Sequence, residues 1–165
     1  MSLVATLQNE LRGQGLTPEA VDYTRRGFHL EVEVSRDRLC PFAEAMLGWG
    51  FYIVLVAGLH AEPEMQVVYQ FAHTAEPCRV VIRVPAGADS TVPSIAGIYQ
   101  GADWHERETR DMYGITFTGH PNPQPLLLAE EDADLAPLRK KEGAVKPLAA
   151  LRPAPPEPPK PEVAP

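Results

Sequence analysis

Residues 104–121 read Trp104-His-Glu-Arg-Glu-Thr-Arg-Asp-Met-Tyr-Gly-Ile-Thr-Phe-Thr-Gly-His-Pro121. Glu106, Arg107, Glu108 and Asp111 crowd charge into six positions, and Gly114 follows. Asp103 is placed to cap a helix at its N-terminus, with Glu106 three residues on to reach back as in a capping box. Gly114 can take the left-handed position that stops a helix. The spacing predicts a helix near 104–113, about ten residues and roughly 15 Å long. Glu106 with Arg110 and Arg107 with Asp111 stand one turn apart and are expected to pair, each pair worth about 0.2–0.5 kcal/mol on an exposed surface. Apolar anchors occur only at the ends: Trp104 at the start, Met112 and Tyr113 at the finish. A helix polar nearly all round is bridging, solvated or turned toward a partner.

Working outward, Val4, Leu7 and Leu11 recur at helical spacing, so 2–12 reads as an amphipathic helix ending at Gly13. Residues 20–34 alternate, as two strands joined at Arg25-Arg26-Gly27. In the second, Phe28, Leu30, Val32 and Val34 share one face, and His29, Glu31 and Glu33 the other. Residues 36–49 read as a helix in which Pro41 is tolerable only near the first turn. Three strands follow at 51–57, 65–72 and 78–84. Their short linkers permit antiparallel neighbours and no helical crossover. Pro85, Gly87, Pro93, Gly97 and Gly101 make 85–103 a loop with one helical turn at 94–99.

The order of elements predicts an α+β fold. We expect an antiparallel or mixed sheet of four to five strands with helices on one side, the charged helix near 104–113, and an extended C-terminal tail. The domain spans 1–121. An extended partner-binding segment spans 122–152. In 153–165, seven of thirteen residues are proline, a composition that stays extended and mobile in isolation.

Length and composition suit one packed domain with tails: 165 residues, 44% hydrophobic. A formal net charge of −7 argues against nucleic acid and against direct binding to anionic lipid. The longest apolar run, 51–59, is about half of the roughly 18–20 residues that span a bilayer, and no basic stretch precedes a hydrophobic one at the N-terminus. The expectation is a soluble, cytoplasmic chain. Cys40 and Cys78 have no ligand spacing and read as two small buried thiols; an iron–sulfur cluster would need about four such ligands. His105, Glu106, Asp111 and His120 are acid–base and metal-ligand residue types, so a stand-alone metal-dependent enzyme is the alternative of a different class. No two histidines stand one helical turn apart, and His105 and Glu106 point about 100° apart on a helix.

The run 102–121 resembles the characteristic sequence of the respiratory complex I 30 kDa subunit family, the C-type subunits of NADH-quinone oxidoreductase. Val84-Pro85 and Val92-Pro-Ser-Ile-Ala-Gly-Ile-Tyr99 upstream, and Pro137-Leu-Arg-Lys-Lys141 downstream, extend the resemblance over most of 20–141. It implies a non-catalytic peripheral-arm subunit of a complex-I-like NADH:quinone oxidoreductase, docked on the large hydrogenase-like subunit beside the iron–sulfur subunits. Such a subunit lies on the cytoplasmic face of the membrane, spans no bilayer and carries no cofactor. NADH, FMN, iron–sulfur clusters and quinone belong to its partners. The equivalent subunit of the membrane-bound energy-converting nickel–iron hydrogenases shares these features and is a second reading. The resemblance assigns the subunit interface to Trp104, Glu106, Arg107, Glu108, Asp111, Tyr113, Gly114, His120 and Pro121. Charge pairs of Glu106, Arg107, Glu108 and Asp111 are expected there, partly buried. One departure stands out: Gln124 and Pro125 occupy places where the family carries arginine, a bidentate partner for carboxylates that neither residue can replace.

Overall fold

The computed structural model describes residues 2–141 and 144–151; the proline-rich stretch 153–165 lies outside them. Helix α1 (Leu3–Gly13) starts at Ser2, whose hydroxyl oxygen accepts the Ala5 N–H, and it buries Leu7 and Leu11. Strand β1 is only Glu19–Ala20. The first of the two strands expected in 20–34 is therefore cut short. The Asp22 carboxylate accepts the Thr24 N–H at 3.0 Å and Gly27 takes a left-handed φ of 74°, so Tyr23–Arg26 closes a turn of helix, α2. A cap at one end and a left-handed stop at the other outweigh the alternation.

The second strand forms as β2 (Leu30–Glu33). Leu30, Val32 and Val34 enter the core as expected. Glu31, on the other face, is also buried, held by ion pairs to Arg26 and Arg83. Helix α3 (Arg36–Gly48) then buries Leu39, Phe42, Ala43 and Met46. Pro41 stands at its sixth position, beyond the first turn where it was expected, and does not end the helix.

Strands β3 (Phe51–His60), β4 (Met65–His73) and β5 (Arg79–Pro85) pair antiparallel in succession, as the short linkers require. The sheet is mixed because β2 lies parallel to β5, giving the order β1-β2-β5-β4-β3. Met65, Val67, Tyr69 and Phe71 alternate inward, with Val80, Ile82 and Val84 beside them. The Phe71 ring meets Phe42 of α3 and Tyr99 of the following loop, at centroid distances of 6.3 and 5.5 Å. Strands β6 (Thr91–Pro93) and β7 (Thr116–Thr118) form a separate parallel pair bracketing helix α4 (Ala102–Tyr113).

Helix α4 packs against β3. Gly58 makes that approach possible: a Cβ there would fall 2.4 Å from Cδ2 of Tyr113. The chain after β7 runs back over the domain as an arm. Leu138 N–H donates to the Met112 carbonyl at 2.9 Å, and Lys140 N–H to Nδ1 of His60 at 2.9 Å. Glu62 then exchanges backbone hydrogen bonds with Lys146 and Leu148, and a short helix α5 (Leu148–Leu151) follows.

Candidate functional site

Helix α4 begins at Ala102, and its N-terminal Gly101 offers no side-chain cap. The expected capping box therefore does not form. Asp103 instead sits inside the first turn with Oδ1 3.4 Å from Nε2 of His120. Gly114 ends the helix in the left-handed conformation as expected, at φ 70°, with its N–H on the Arg110 carbonyl.

The Glu106 side chain turns inward and is fully buried. It accepts the Ser94 hydroxyl proton at 2.5 Å and the Ile95 N–H at 2.8 Å. Burial pushes its pKa up to about 7, against the pull of those two hydrogen bonds, and Asp103 adds to the rise. His120, almost completely covered, sits 3.7 Å from the Glu106 carboxylate. Its Nδ1 accepts the Asn122 N–H, which leaves Nε2 as the donor facing Asp103 and Glu106.

Asp111 is buried too, and its Oδ2 gathers three backbone N–H groups: Leu126 and Leu127 at 2.8 Å and Leu128 at 3.2 Å. Burial pushes its pKa up, but the three N–H donors outweigh it and hold the carboxyl below the ordinary aspartate value. The arginines on the same helix take the carbonyls just upstream. Arg107 donates to the carbonyl oxygens of Gln124 and Pro125, both at 2.9 Å, and Arg110 to that of Pro123 at 2.5 Å. The hydrogen bonds from α4 to residues 123–128 thus all go to the backbone of that segment: cations on carbonyls, carboxylate on amides.

Neither expected i,i+4 pair forms among the described residues, because each member has a better partner across the fold. Gln124 and Pro125 take part in the contact with α4 through their backbone. Those positions meet Arg107 through carbonyl oxygens, which every residue type supplies.

The rest of the sequence-assigned set lies on or near the helix surface. Tyr113 is half-buried against β3. Gly114 and Pro121 are exposed. Trp104, expected as an apolar anchor, points outward with 68% of its surface exposed. It shares a groove of about 580 Å³ with His105, Glu108 and Leu127, itself 60% exposed. Glu108 also lines a second groove, where Leu55, Met112 and Leu138 stand. His105 and His120 open into different grooves. Among the described residues no cluster of three or more His, Cys, Asp or Glu side chains could hold a metal ion. Both cysteines are unpaired; Cys78 is buried, Cys40 only partly. Sequence reasoning missed Ser94, Ile95 and the amides of 126–128, because backbone and lone hydroxyl partners leave no residue pattern.

Fold and site together define an α+β domain with a charged helix braced by the arm that follows it and with Trp104 exposed on its outer face. A family model for the respiratory-chain NADH dehydrogenase 30 kDa subunit matches residues 32–147. The J-type NAD(P)H-quinone oxidoreductase subunit of Prochlorococcus marinus (strain NATL1A) is 37% identical over 126 residues, covering 68% of this chain and 72% of that protein. The C-type NADH-quinone oxidoreductase subunit of Rhizobium rhizogenes (strain K84) is 49% identical over 74 residues, 45% of this chain. The match spans 36% of that relative's length, and 37% of its counterpart in Azorhizobium caulinodans. Among solved structures, the trypsin-resistant fragment of Nqo5 is similar at a TM-score of 0.63 and 25% identity, covering 72% of this chain and 98% of the fragment. A chain of the archaeal membrane-bound sulfane sulfur reductase shares the fold, at a TM-score of 0.69 and 22% identity over 89% of this chain and 87% of its own.

The chain belongs to the respiratory-chain NADH dehydrogenase 30 kDa subunit family. No helix among its described residues is long and apolar enough to cross a membrane.

Proposed function

We propose that this chain is a non-catalytic peripheral-arm subunit of a complex-I-like NADH:quinone oxidoreductase. It docks the large hydrogenase-like subunit, next to the iron–sulfur subunits, on the cytoplasmic face of the membrane. NADH, FMN, iron–sulfur clusters and quinone are held by the partners. The observation that carries this reading is the outer face of α4. Trp104 of the helix and Leu127 of the arm are both exposed in one groove, while Glu106, Arg107, Arg110 and Asp111 are engaged inside the chain. Exposed aromatic anchors on a rigid, braced element are the usual energetic centres of protein interfaces. Family membership supplies the multi-subunit setting, and the large subunit as partner follows from the resemblance of 102–121.

The test is co-purification of the full chain with the co-expressed large subunit. Trp104→Ala should weaken retention by about 2 kcal/mol, some thirty-fold, as truncation of an interface hot spot does. Its melting temperature should stay at the wild-type value, since the indole makes little contact with the domain. Undiminished retention of the variant would remove this face from the interface.

A further inference from the structure

Glu108 is the exception among the charges of α4. Glu106, Arg107, Arg110 and Asp111 each have close partners within the chain. Glu108 is exposed and has no hydrogen-bond or ion-pair partner among the described residues. It is also placed unlike an ordinary solvated carboxylate. It lines both grooves of the outer face, with Trp104 and Leu127 on one side and Leu55 and Leu138 on the other. Those four side chains are 68%, 60%, 39% and 45% exposed. A single negative charge therefore stands in a strip of exposed apolar side chains, with Gln100 and His105 as the polar neighbours in the Trp104 groove. Trp104 lies one helical turn before it, on the same side of the helix.

We infer that the partner surface covering this strip presents one arginine, whose guanidinium stacks on the Trp104 indole and pairs with the Glu108 carboxylate. The inference rests on the docking reading above and specifies the chemistry of the partner. Closing the strip over an unpaired carboxylate would strand a charge away from water, and a cation on the partner compensates both the charge and its lost hydrogen bonds. The strip admits a planar cation better than a compact one. Guanidinium is weakly hydrated, forms two parallel hydrogen bonds to a carboxylate and stacks on an aromatic face, and tryptophan is the best such face. The net charge of −7 on the chain steers a basic surface toward it. Arg107 and Arg110 do not compete for Glu108, being engaged on the carbonyls of 123–125.

The experiment measures the dissociation constant between the full chain and the purified large subunit for wild type, Glu108→Gln, Glu108→Lys and Trp104→Ala, each with its melting temperature. Glu108→Gln should weaken binding at least ten-fold and Glu108→Lys at least a hundred-fold, with melting temperatures unchanged. Treating the large subunit with phenylglyoxal, which modifies arginine, should weaken wild-type binding to the level of Glu108→Gln and leave that variant's binding where it was. Weak binding by Trp104→Ala with normal binding by Glu108→Gln overturns the inference and leaves the docking reading standing. Normal binding by both overturns both. Loss on lysine acetylation of the partner, with no effect of phenylglyoxal, overturns the assignment to arginine.

Discussion

Two buried carboxylates on one helix titrate in opposite senses, and each leaves its mark on stability. Folding raises the pKa of Glu106 from 4.5 to about 7, so the folded chain binds this proton more tightly than the unfolded chain. Its contribution is complete below pH 4.5 and is lost as pH rises through 7. At about 1.4 kcal/mol per pH unit, the difference is about 3 kcal/mol. Denaturant titrations at pH 5 and pH 8 should show wild type losing most of that relative to Glu106→Gln. Parallel profiles would mean that Glu106 is ionised in the fold at both values. Asp111 acts the other way: its pKa is held below the ordinary value, so its contribution is present above pH 4 and is lost as pH falls through the folded value. A third residue tests packing rather than charge. Gly58→Ala would drive a methyl group to within 2.4 Å of the Tyr113 ring. Overpacking of this kind costs about 1–3 kcal/mol, visible as a lower denaturation midpoint; an unchanged midpoint would show that α4 can ride outward at no cost.

Helix α4 and its arm are held together by the arm's backbone. Asp111→Ala leaves three amides without their carboxylate, and each such hydrogen bond to a charged group contributes about 1.5–3 kcal/mol. Limited proteolysis should then cut within 122–130 much faster than in wild type, while β3–β5 stay protected; equal rates would show the arm anchored elsewhere. Gln124→Arg, by contrast, should change stability by less than about 0.5 kcal/mol, because the contact to Arg107 runs through the carbonyl. This contrast also marks what the sequence could reveal. Helix α3, strands β3–β5 and the span of α4 were legible, since periodicity and glycine stops are local signals. The partners of Glu106, Arg107, Arg110 and Asp111 were not. Residue types one turn apart suggested ion pairs along the helix, whereas the folded chain brings Arg107, Arg110 and Asp111 carbonyls and amides from about fifteen residues further on, and brings Glu106 the Ser94 hydroxyl and Ile95 amide from about a dozen residues before. The parallel pairing of β2 with β5 was hidden for the same reason: it joins residues some fifty positions apart. Trp104 was assigned to the interface by resemblance, while its exposure, and that of Leu127 beside it, came only with the fold.

At the scale of the molecule, the arm ties α4 to the far end of the β3–β4 hairpin, through Leu138 on Met112, Lys140 on His60, and Lys146 and Leu148 on Glu62. The family match itself runs to residue 147. These ties are unequal, and two truncations separate them. A chain ended after Lys141 keeps every contact of 123–128 with α4 and keeps Leu138 beside Glu108. It gives up the Glu62 bridge and the half-covered Leu148, so it should lose only about 1–2 kcal/mol and bind the large subunit as wild type does. A chain ended after Pro121 strips Asp111 of its three donors and Arg107 and Arg110 of their acceptors and takes away the cover over them; each hydrogen bond lost to a charged group contributes about 1.5–3 kcal/mol, offset in part by rehydration. It also removes Leu127 and Leu138 from the outer face. We therefore expect a melting temperature lower by many degrees and loss of partner binding even below that temperature. Should the shorter chain melt and bind like the longer one, the arm is a passenger, and the internal bracing of α4 has no part in docking.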